Sequence, residues 1–297
     1  MKFVIGFIFV LLFICSVFFR VIVTHPISSP LYALLDMFNF LRYRLWRKAE
    51  CGHLDCYAAH FGGGKTLSMA HYIAWYNHKY NNKRFYDIPR KKWLMQRVIV
   101  LSNFTVNGVD CVPLKSLSDV VAFSKVQKEY DEEHDTRTLC LVAIDEASCQ
   151  LNSRNFKSNI DPLFLNTLIT CRHYNINFIY SSQKFKLTDA LLRSVTQNVI
   201  VCKKIWRVME MRFYDADVVE LATDTSLIKP KRKRGWFIRN KHFNLYDTLS
   251  CVDNLTKDES MLSYDEILAN LGGNNCDDDR IYTPSNKLRS IRKKRAR

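Results

Sequence analysis

The sequence predicts an α/β fold in which a mainly parallel sheet is flanked by helices and preceded by an N-terminal transmembrane helix. Three observations predict it. An apolar segment opens the chain, apolar strand-like runs alternate with helical patterns through its middle, and a glycine-rich turn joins one such run to a helix. Strands that alternate with helices favour a parallel sheet, because each return to the sheet needs a crossover that a helix supplies.

The composition indicates a globular protein that attracts polyanions. Of the 297 residues 47% are hydrophobic, which is enough for a packed core and excludes a wholly disordered chain. Lys and Arg number 44 against 29 Asp and Glu, a net charge of +15, which favours nucleic acid or an anionic membrane surface as partner. The ten cysteines are scattered, so we expect reduced thiols.

Residues 1–23 are predicted to form a single-pass anchor. The stretch from Phe3 to Phe19 has no charge, Arg20 interrupts it, and three more apolar residues follow, giving twenty-one residues. A helix of that length spans roughly 32 Å, close to the hydrocarbon thickness of a bilayer. A signal peptide is the alternative, but the run exceeds the usual apolar core of a signal peptide and no small-residue cleavage site follows it.

Flanking charge predicts the orientation of this anchor. Only Lys2 precedes it, while five basic residues lie at or after its end: Arg20, Arg42, Arg44, Arg47 and Lys48. The positive-inside rule therefore places the rest of the chain in the cytoplasm. Residues 24–50 are interpreted as a juxtamembrane segment with an interfacial helix at 31–46, which ends in Tyr43 and Trp46. The alternative is a helix packed on the soluble domain.

A phosphate-binding loop is predicted between an apolar run from Leu54 and the helical pattern that follows Thr66. Gly64-Lys65-Thr66 matches the end of the motif G-x-x-x-x-G-K-[ST], and Ala59 stands where the motif has its first glycine. Alanine fits there if its φ is negative. A flexible glycine loop between two elements is the alternative.

Each residue type in this loop suits a nucleotide triphosphate. The glycines Gly62, Gly63 and Gly64 let backbone N–H groups converge on phosphate oxygens. Lys65 is expected to reach the β- and γ-phosphates of ATP, and the Thr66 hydroxyl to ligate Mg²⁺. The positive N-terminus of the helix points at the same anion.

A second half of the same site is predicted at the end of an apolar strand, 139–146, with the sequence LCLVAIDE. Its carboxylates belong at the carboxyl edge of a parallel sheet, where ligands bind. Asp145 is expected to hold Mg²⁺, directly or through water, and Glu146 to act as general base toward the attacking water. A solvated turn is the alternative.

Further strands are predicted at 97–103, 176–183 and 199–202, with helical patterns near 116–130, 160–173 and 187–197. Gln183 ends the second of these strands, where it is placed to sense the γ-phosphate or orient water. A loop-capping amide is the alternative.

Several further features follow the phosphate loop along the chain: the strand ending Ser102-Asn103, Asp145-Glu146-Ala147 followed by Arg154, Arg172-His173-Tyr174-Asn175 before the strand ending at Gln183, and Arg193. With these features, from about Leu54 to Cys202, the chain resembles the zonula-occludens-toxin-like assembly ATPases of filamentous bacteriophages, within the FtsK/HerA group of P-loop NTPases. The best-known members carry their membrane span after the ATPase domain, whereas this chain has it before.

The resemblance implies an ATP-driven machine in the host bacterial inner membrane that extrudes single-stranded phage DNA with coat and assembly proteins. It implies that Lys65, Thr66, Asp145, Glu146 and Gln183 carry the nucleotide chemistry. It also implies a homo-oligomeric ring in which an arginine reaches a neighbour's nucleotide, for which Arg172 and Arg193 are the candidates.

The C-terminal part is strongly basic. Residues 229–234 read KPKRKR and the last eleven read KLRSIRKKRAR. Such runs are usually solvated and mobile, and contact with DNA phosphates or with anionic lipid is the functional alternative. We therefore separate an ATPase domain at 51–228, a basic C-terminal extension at 229–270 and a disordered tail at 271–297.

Zinc is a minor alternative near the phosphate loop. Four residues offer suitable ligand atoms, but their spacing fits no common closed site: Cys51, His53, Cys56 and His60.

Taken together, the sequence predicts a membrane-anchored P-loop ATPase that moves single- or double-stranded DNA during virion assembly. A non-hydrolysing membrane scaffold that binds nucleotide or DNA is the alternative from another class, and a membrane-bound nucleotide kinase is a third.

Overall fold

The computed structural model describes residues 13, 16–147, 162–222, 227–246, 262 and 264–272. Within them a nine-stranded mixed sheet carries helices on both faces. The strands are β1 Leu54–Ala58, β2 Lys83–Asp87, β3 Lys92–Ser102, β4 Cys111–Pro113, β5 Thr136–Ile144, β6 Ile176–Ser182, β7 Asn198–Ile205, β8 Val208–Asp215 and β9 Arg232–Phe237. The α-helices are α1 Val17–Thr24, α2 Ser28–Arg42, α3 Lys65–Tyr80, α4 Leu117–Glu133, α5 Pro162–Ile169, α6 Ala190–Val195, α7 Ala216–Leu221, α8 Asn240–Phe243 and α9 Tyr264–Gly272.

The centre of the sheet is parallel and its edges are antiparallel. The strand order is β2-β3-β5-β6-β1-β7-β8-β9, and β4 pairs with β3. Pairing is parallel from β3 through β7, whereas β2, β8 and β9 run antiparallel to their neighbours. The predicted α/β class with a mainly parallel sheet is confirmed, and the carboxyl ends of the central strands share one edge, called here the carboxyl edge.

Burial on both faces explains why the central strands are uniformly apolar. In β5 every residue from Thr138 to Ile144 is buried, as expected for a parallel strand covered by helices above and below. On one face α3 contributes Met69, Ala70 and Ile73, which recur at helical spacing. On the other face the core includes residues of α4, α5 and α6.

The start of α4 shows how sequence sets a boundary. The Ser116 hydroxyl accepts a hydrogen bond from the Ser118 N–H, and the Asp119 carboxylate accepts one from the Ser116 N–H. This capping box satisfies N–H groups that a helix N-terminus otherwise leaves unpaired.

The N-terminal helices lie outside the packed core. No residue of α1 or α2 is buried, and Tyr43, just after α2, stacks on Tyr86 of β2 with ring centroids 4.6 Å apart. In the part of the chain that the structure describes, no single helix is long and apolar enough to cross a membrane; α1 and α2 qualify together but are bent by 101°. Most of the predicted span at 1–23 lies outside the described residues.

The C-terminal extension is built into the same sheet. The sequence analysis separates residues 229–270 as a basic C-terminal extension, and within this extension β9 pairs with β8. Ile238 is fully buried, and Ile267 and Leu271 of α9 join the core that contains α4. The predicted tail at 271–297 lies outside the described residues except for its first two positions.

Candidate nucleotide-binding site

The site lies where four parallel strands end side by side. Register places Ser102 of β3 beside Ala143 of β5, and Ser181 of β6 beside Tyr57 of β1. Strand β6 therefore separates β1, which leads into the glycine loop, from β5, which leads into Asp145. Polar residues at the ends of these strands meet at one edge, as the parallel topology requires.

Asp145 is the centre of the polar network at this edge. Its side chain is almost wholly buried, and both carboxylate oxygens have partners. The Thr66 hydroxyl donates to Oδ2 at 2.8 Å, and the Ser181 hydroxyl donates to Oδ1. A buried carboxylate needs such donors because burial removes its hydrogen bonds to water. Thr66 and Ser181 together fix the orientation of the Asp145 carboxylate.

Asn103 holds the backbone of the same residue. Its amide nitrogen donates to the Asp145 carbonyl at 3.2 Å, and its amide oxygen accepts from the Asp145 N–H at 2.8 Å. The end of β5 is thereby fixed to the end of β3 on one side and to β6 on the other.

Glu146 points away from this buried network. Its φ is +53°, in the left-handed region, and its side chain is exposed. Its N–H donates to Ser181 Oγ at 2.9 Å. The Glu146 carboxylate is thus exposed one residue beyond the buried, hydrogen-bonded Asp145.

The glycine loop is tightly packed where it turns into α3. A Cβ added to Gly63 would lie 2.7 Å from Ala59 Cβ and 3.0 Å from the His60 carbonyl oxygen. At Gly64, where φ is +84°, it would clash with Met209 Cε. Gly63 therefore requires glycine because of its packing. Gly64 requires glycine because of its positive φ, since Met209 Cε is the end of a flexible side chain that can move. Gly62 is exposed, with φ +71° and open space around its Cα.

Lys65 opens α3 and turns back over the loop. Its ammonium donates to the Ala59 carbonyl at 3.2 Å and lies 5.8 Å from the centroid of the Phe61 ring. Ala59 is not among the residues with positive φ, so alanine meets the condition set for it in the motif. The loop therefore places a cation at the N-terminus of α3, and both favour a phosphate group.

A buried thiol lines the rear of the loop. Burial raises the pKa of the Cys202 thiol to about 11, although the neighbouring Ser68 hydroxyl and the charge of Lys65 act in the opposite direction. The thiol is therefore neutral near pH 7 and serves as packing rather than as a nucleophile.

The structure brings together some of the predicted residues and separates others. Lys65, Thr66, Asp145 and Glu146 adjoin the loop, and Gln183 follows β6 directly and is half-buried. Arg172 precedes β6, next to Gly52, at the opposite end of the strand from the loop.

The other predicted arginine, Arg193, lies on α6. It forms an ion pair with Glu220 at 3.3 Å and donates to the Lys186 carbonyl at 2.9 Å. Arg154 lies outside the described residues.

Sequence reasoning gave no role in the site to three residues, although Asn103 was among the features that carry the resemblance. Ser181 and Asn103 hold Asp145, and Met209 packs against Gly64. The first two end strands that were predicted, so alignment of the strand ends could have indicated them. Met209 belongs to β8, which was not among the predicted strands, so no pattern indicated it.

The oxygen atoms at this edge suit magnesium rather than zinc. The Thr66 hydroxyl and the Asp145 carboxylate are hard oxygen ligands within hydrogen-bond distance of each other, the set that Mg²⁺ uses beside phosphates. Across the described part of the chain no group of three or more His, Cys, Asp or Glu side chains forms a metal cluster. Cys51, one of the zinc candidates, accepts a hydrogen bond from Arg137 instead.

No family model matches the chain, and no curated protein matches it by sequence. Solved structures similar to it include the N-terminal domain of zonular occludens toxin from Neisseria meningitidis, with 18% identity over 66% of this chain and 100% of that one, and a TM-score of 0.40. They also include the genome packaging NTPase B204 from Sulfolobus turreted icosahedral virus 2 in complex with ATP-gammaS, with 12% identity over 56% and 94% of the two chains, and a TM-score of 0.35.

A third similar structure is EssC (ATPases 2 and 3) from Geobacillus thermodenitrificans, with 12% identity over 50% of this chain and 32% of that one, and a TM-score of 0.33. The sequence resemblance described above is to the same kind of protein as the first of these structures. At these TM-scores the similarity carries no argument about function. The functional argument rests on the geometry of the carboxyl edge.

Proposed function

We propose that the protein is an ATPase that drives the movement of DNA, and with it virion assembly, at the bacterial inner membrane. The observation that carries the proposal is the junction of Thr66, Asp145 and Ser181 beside the glycine loop. It joins the two halves of a nucleotide site that lie 79 residues apart in sequence.

The loop supplies the binding energy for the triphosphate. The Gly63 N–H donates to the His60 carbonyl at 3.0 Å within the loop, and a bound triphosphate would compete with that carbonyl for it. The N-terminus of α3 adds its positive partial charge. Lys65, whose ammonium rests on a backbone carbonyl 3.2 Å away, can exchange that weak partner for phosphate oxygens, a stronger charge-assisted contact.

Thr66 and Asp145 are the residues that would hold Mg²⁺. When bound, this ion neutralises charge that develops on the phosphate oxygens during transfer. Asp145 needs no reorientation for this role, because Ser181 and Asn103 already fix its side chain and backbone.

Glu146 is the proposed general base. It would accept the proton of the attacking water, since it is an exposed carboxylate one residue from the proposed Mg²⁺ ligand. Gln183, at the end of the neighbouring strand, would orient the same water.

The proposed DNA partner follows from charge and from the sequence resemblance. A net charge of +15 favours a polyanion. The membrane anchor at 1–23, coat and assembly proteins as partners, and a ring with Arg172 or Arg193 in trans are parts of the same proposal.

The test is ATP turnover by the full chain in detergent, with and without single-stranded DNA. Lys65→Ala and Glu146→Gln should each abolish turnover. Matched controls are Lys79→Ala, at the other end of α3, and Glu129→Gln, an exposed carboxylate of α4; both should retain it.

The alternatives give different results in the same assay. A non-hydrolysing scaffold binds nucleotide or DNA and shows no turnover in any variant, in detergent or in lipid. A nucleotide kinase turns over only with a small phosphate acceptor. Turnover that DNA does not stimulate would confirm the ATPase and overturn the coupling to DNA.

A further inference from the structure

The β7–β8 hairpin projects past the nucleotide site. Ala58, the last residue of β1, pairs with Val201, and β7 continues for four more residues to Ile205. Four residues of strand extend roughly 13 Å. A two-residue turn of Trp206 and Arg207 then leads into β8, so the tip stands beyond the carboxyl edge.

The tip exposes aromatic rings. Trp206 is 75% exposed and Phe237 of β9 is 51% exposed, with their ring centroids 6.0 Å apart in an edge-to-face arrangement. The φ of Trp206 is +52°, a conformation that bulky side chains rarely adopt and that marks candidate functional positions. The indole is thus held out into solvent, where its own fold does not bury it.

The segments that carry these rings are basic. Residues 203–208 and 237–243 contain five Lys or Arg and no Asp or Glu. Of these, Lys204 Nζ lies 5.1 Å from the centroid of the Phe243 ring. We call the cations and rings together the hairpin patch: Lys203, Lys204, Trp206, Arg207, Phe237, Arg239, Lys241 and Phe243.

We propose that the hairpin patch binds single-stranded DNA, with a base stacked on Trp206 and the cations on the phosphates. Exposed rings interleaved with cations provide the two contacts that single strands use, stacking and charge. The bases of a duplex are already stacked on each other, so a protruding indole favours unpaired bases. This inference rests on the proposed function and names the surface that takes the DNA.

The position of the N-terminal segment favours DNA over lipid as the occupant. The chain enters β1 at Leu54, at the amino end of the strand, and Tyr43 contacts Tyr86, which pairs with Trp93 near the start of β3. A bilayer reached by the N-terminal segment would therefore lie at the amino edge of the sheet. The hairpin patch is at the opposite edge and points away from it.

The base of the hairpin touches the phosphate loop. A Cβ on Gly64 would contact Met209 Cε and would lie 3.7 Å from Lys204 Cβ. Trp206 is two residues beyond Lys204, about 7 Å further along the strand. DNA on the patch would therefore adjoin the loop that binds the nucleotide.

The experiment titrates the full chain in detergent into a labelled oligodeoxythymidylate, without nucleotide, at several salt concentrations. Trp206→Ala should weaken binding about tenfold, the typical effect of losing one stacked base. Lys204→Gln should reduce the slope of log K against log salt by about 0.7.

Two controls match these variants. Trp93→Ala removes a different exposed tryptophan, which lies on β3 near the other side of the sheet and has the Arg84 guanidinium over its ring. Lys79→Gln removes a cation that lies over the rings of Trp75 and Tyr80. Both should bind the oligonucleotide as wild type does.

Either of two outcomes would overturn the inference. One is that Trp206→Ala and Lys204→Gln bind as tightly, and with the same salt slope, as their controls. The other is that they bind DNA normally but lose binding to vesicles containing phosphatidylglycerol, which would assign the hairpin patch to lipid. Because the titration contains no nucleotide, a wild-type chain that lacks ATP turnover would overturn the proposed function without changing this result.

Discussion

The Thr66 hydroxyl donates a 2.8 Å hydrogen bond to Asp145 Oδ2, which ties the first turn of α3 to the end of β5. Each residue alone belongs to a common pattern, a Gly-Lys-Thr turn or an apolar strand ending in acid. Their contact shows that the fold brings the two patterns into one site. Because Ser181 holds the other carboxylate oxygen, the oxygen pair is in place before any ligand arrives.

Ser181→Ala should impair the site and the fold together. It removes a donor to buried Asp145 and the acceptor for the Glu146 N–H. Leaving such groups unpaired costs about 1–3 kcal/mol. We expect a lower melting temperature and weaker magnesium-dependent ATP binding, measured by thermal denaturation and by titration.

Ser182→Ala is the matched control for this prediction. Ser182 is equally buried and adjacent on β6, but its hydroxyl donates to the Lys184 carbonyl at 2.7 Å. Its loss should not change the magnesium dependence of binding. Equal effects of the two serines on that dependence would show that Ser181 does not position Asp145.

Gly63→Ala should close the phosphate loop. The new methyl group would lie 2.7 Å from Ala59 Cβ, and overpacking of this kind costs about 1–3 kcal/mol. We expect ATP affinity and the melting temperature to fall. The double variant with Ala59→Gly should recover part of both, because it removes one of the two clashing groups.

The His60 carbonyl, 3.0 Å from the same position, sets the limit of that recovery. If Ala59→Gly restored nothing, the clash with Ala59 would not be the cause of the loss. If Gly63→Ala bound ATP normally, the loop would not hold the phosphates in the packed form described.

The parallel centre of the fold was predictable because strands that are buried on both faces of a sheet are continuously apolar in sequence. Runs such as 139–144 are continuously apolar over a length that suits a strand and is too short for a typical helix. The glycine loop was predictable for a similar reason, since Gly63 and Gly64 occupy positions where other residues do not fit.

The antiparallel edge was not predictable from the same patterns. In β9 the residues Arg232, Lys233 and Arg234 are exposed, so the strand reads as a solvated basic run. Part of that charge serves the fold: Arg232 lies 4.3 Å from the Phe213 ring centroid, and Lys231 pairs with Asp215. Cross-strand contacts of this kind depend on register, which a single sequence does not specify.

His71 should make stability depend on pH. Its ring stacks on Trp236 with centroids 3.9 Å apart. Burial, and then the neighbouring charges of His242 and Lys241, lower the pKa of His71 to about 4 from 6.5. Between these pKa values the unfolded chain binds a proton that the folded chain does not. The stability that neutral His71 contributes to the folded state is therefore complete above pH 6.5 and is lost as the pH falls toward 4.

His71→Phe should remove this loss, which we expect to be about 2 kcal/mol after allowance for partial solvent exposure. The measurement is the free energy of unfolding of wild type and variant from about pH 4 to 8. As the pH falls, the free energy of unfolding of wild type should decrease more than that of the variant. His242, whose burial also lowers its pKa, should leave a residual slope. A constant difference across the range would contradict the prediction.

Ile238→Ala should destabilise the whole domain that carries the candidate nucleotide site, although the residue lies in the basic C-terminal extension at 229–270. Ile238 is fully buried and packs in the core that includes Met69 and Ile73 of α3. Removing such a side chain costs about 2–5 kcal/mol. Phe237→Ala is the control, because Phe237 is next in sequence but 51% exposed, and it should cost much less. We expect a single unfolding transition that moves to lower denaturant concentration in Ile238→Ala, with an unchanged slope. A second transition, with the nucleotide site unaffected, would instead show that residues 229–270 fold as a separate unit.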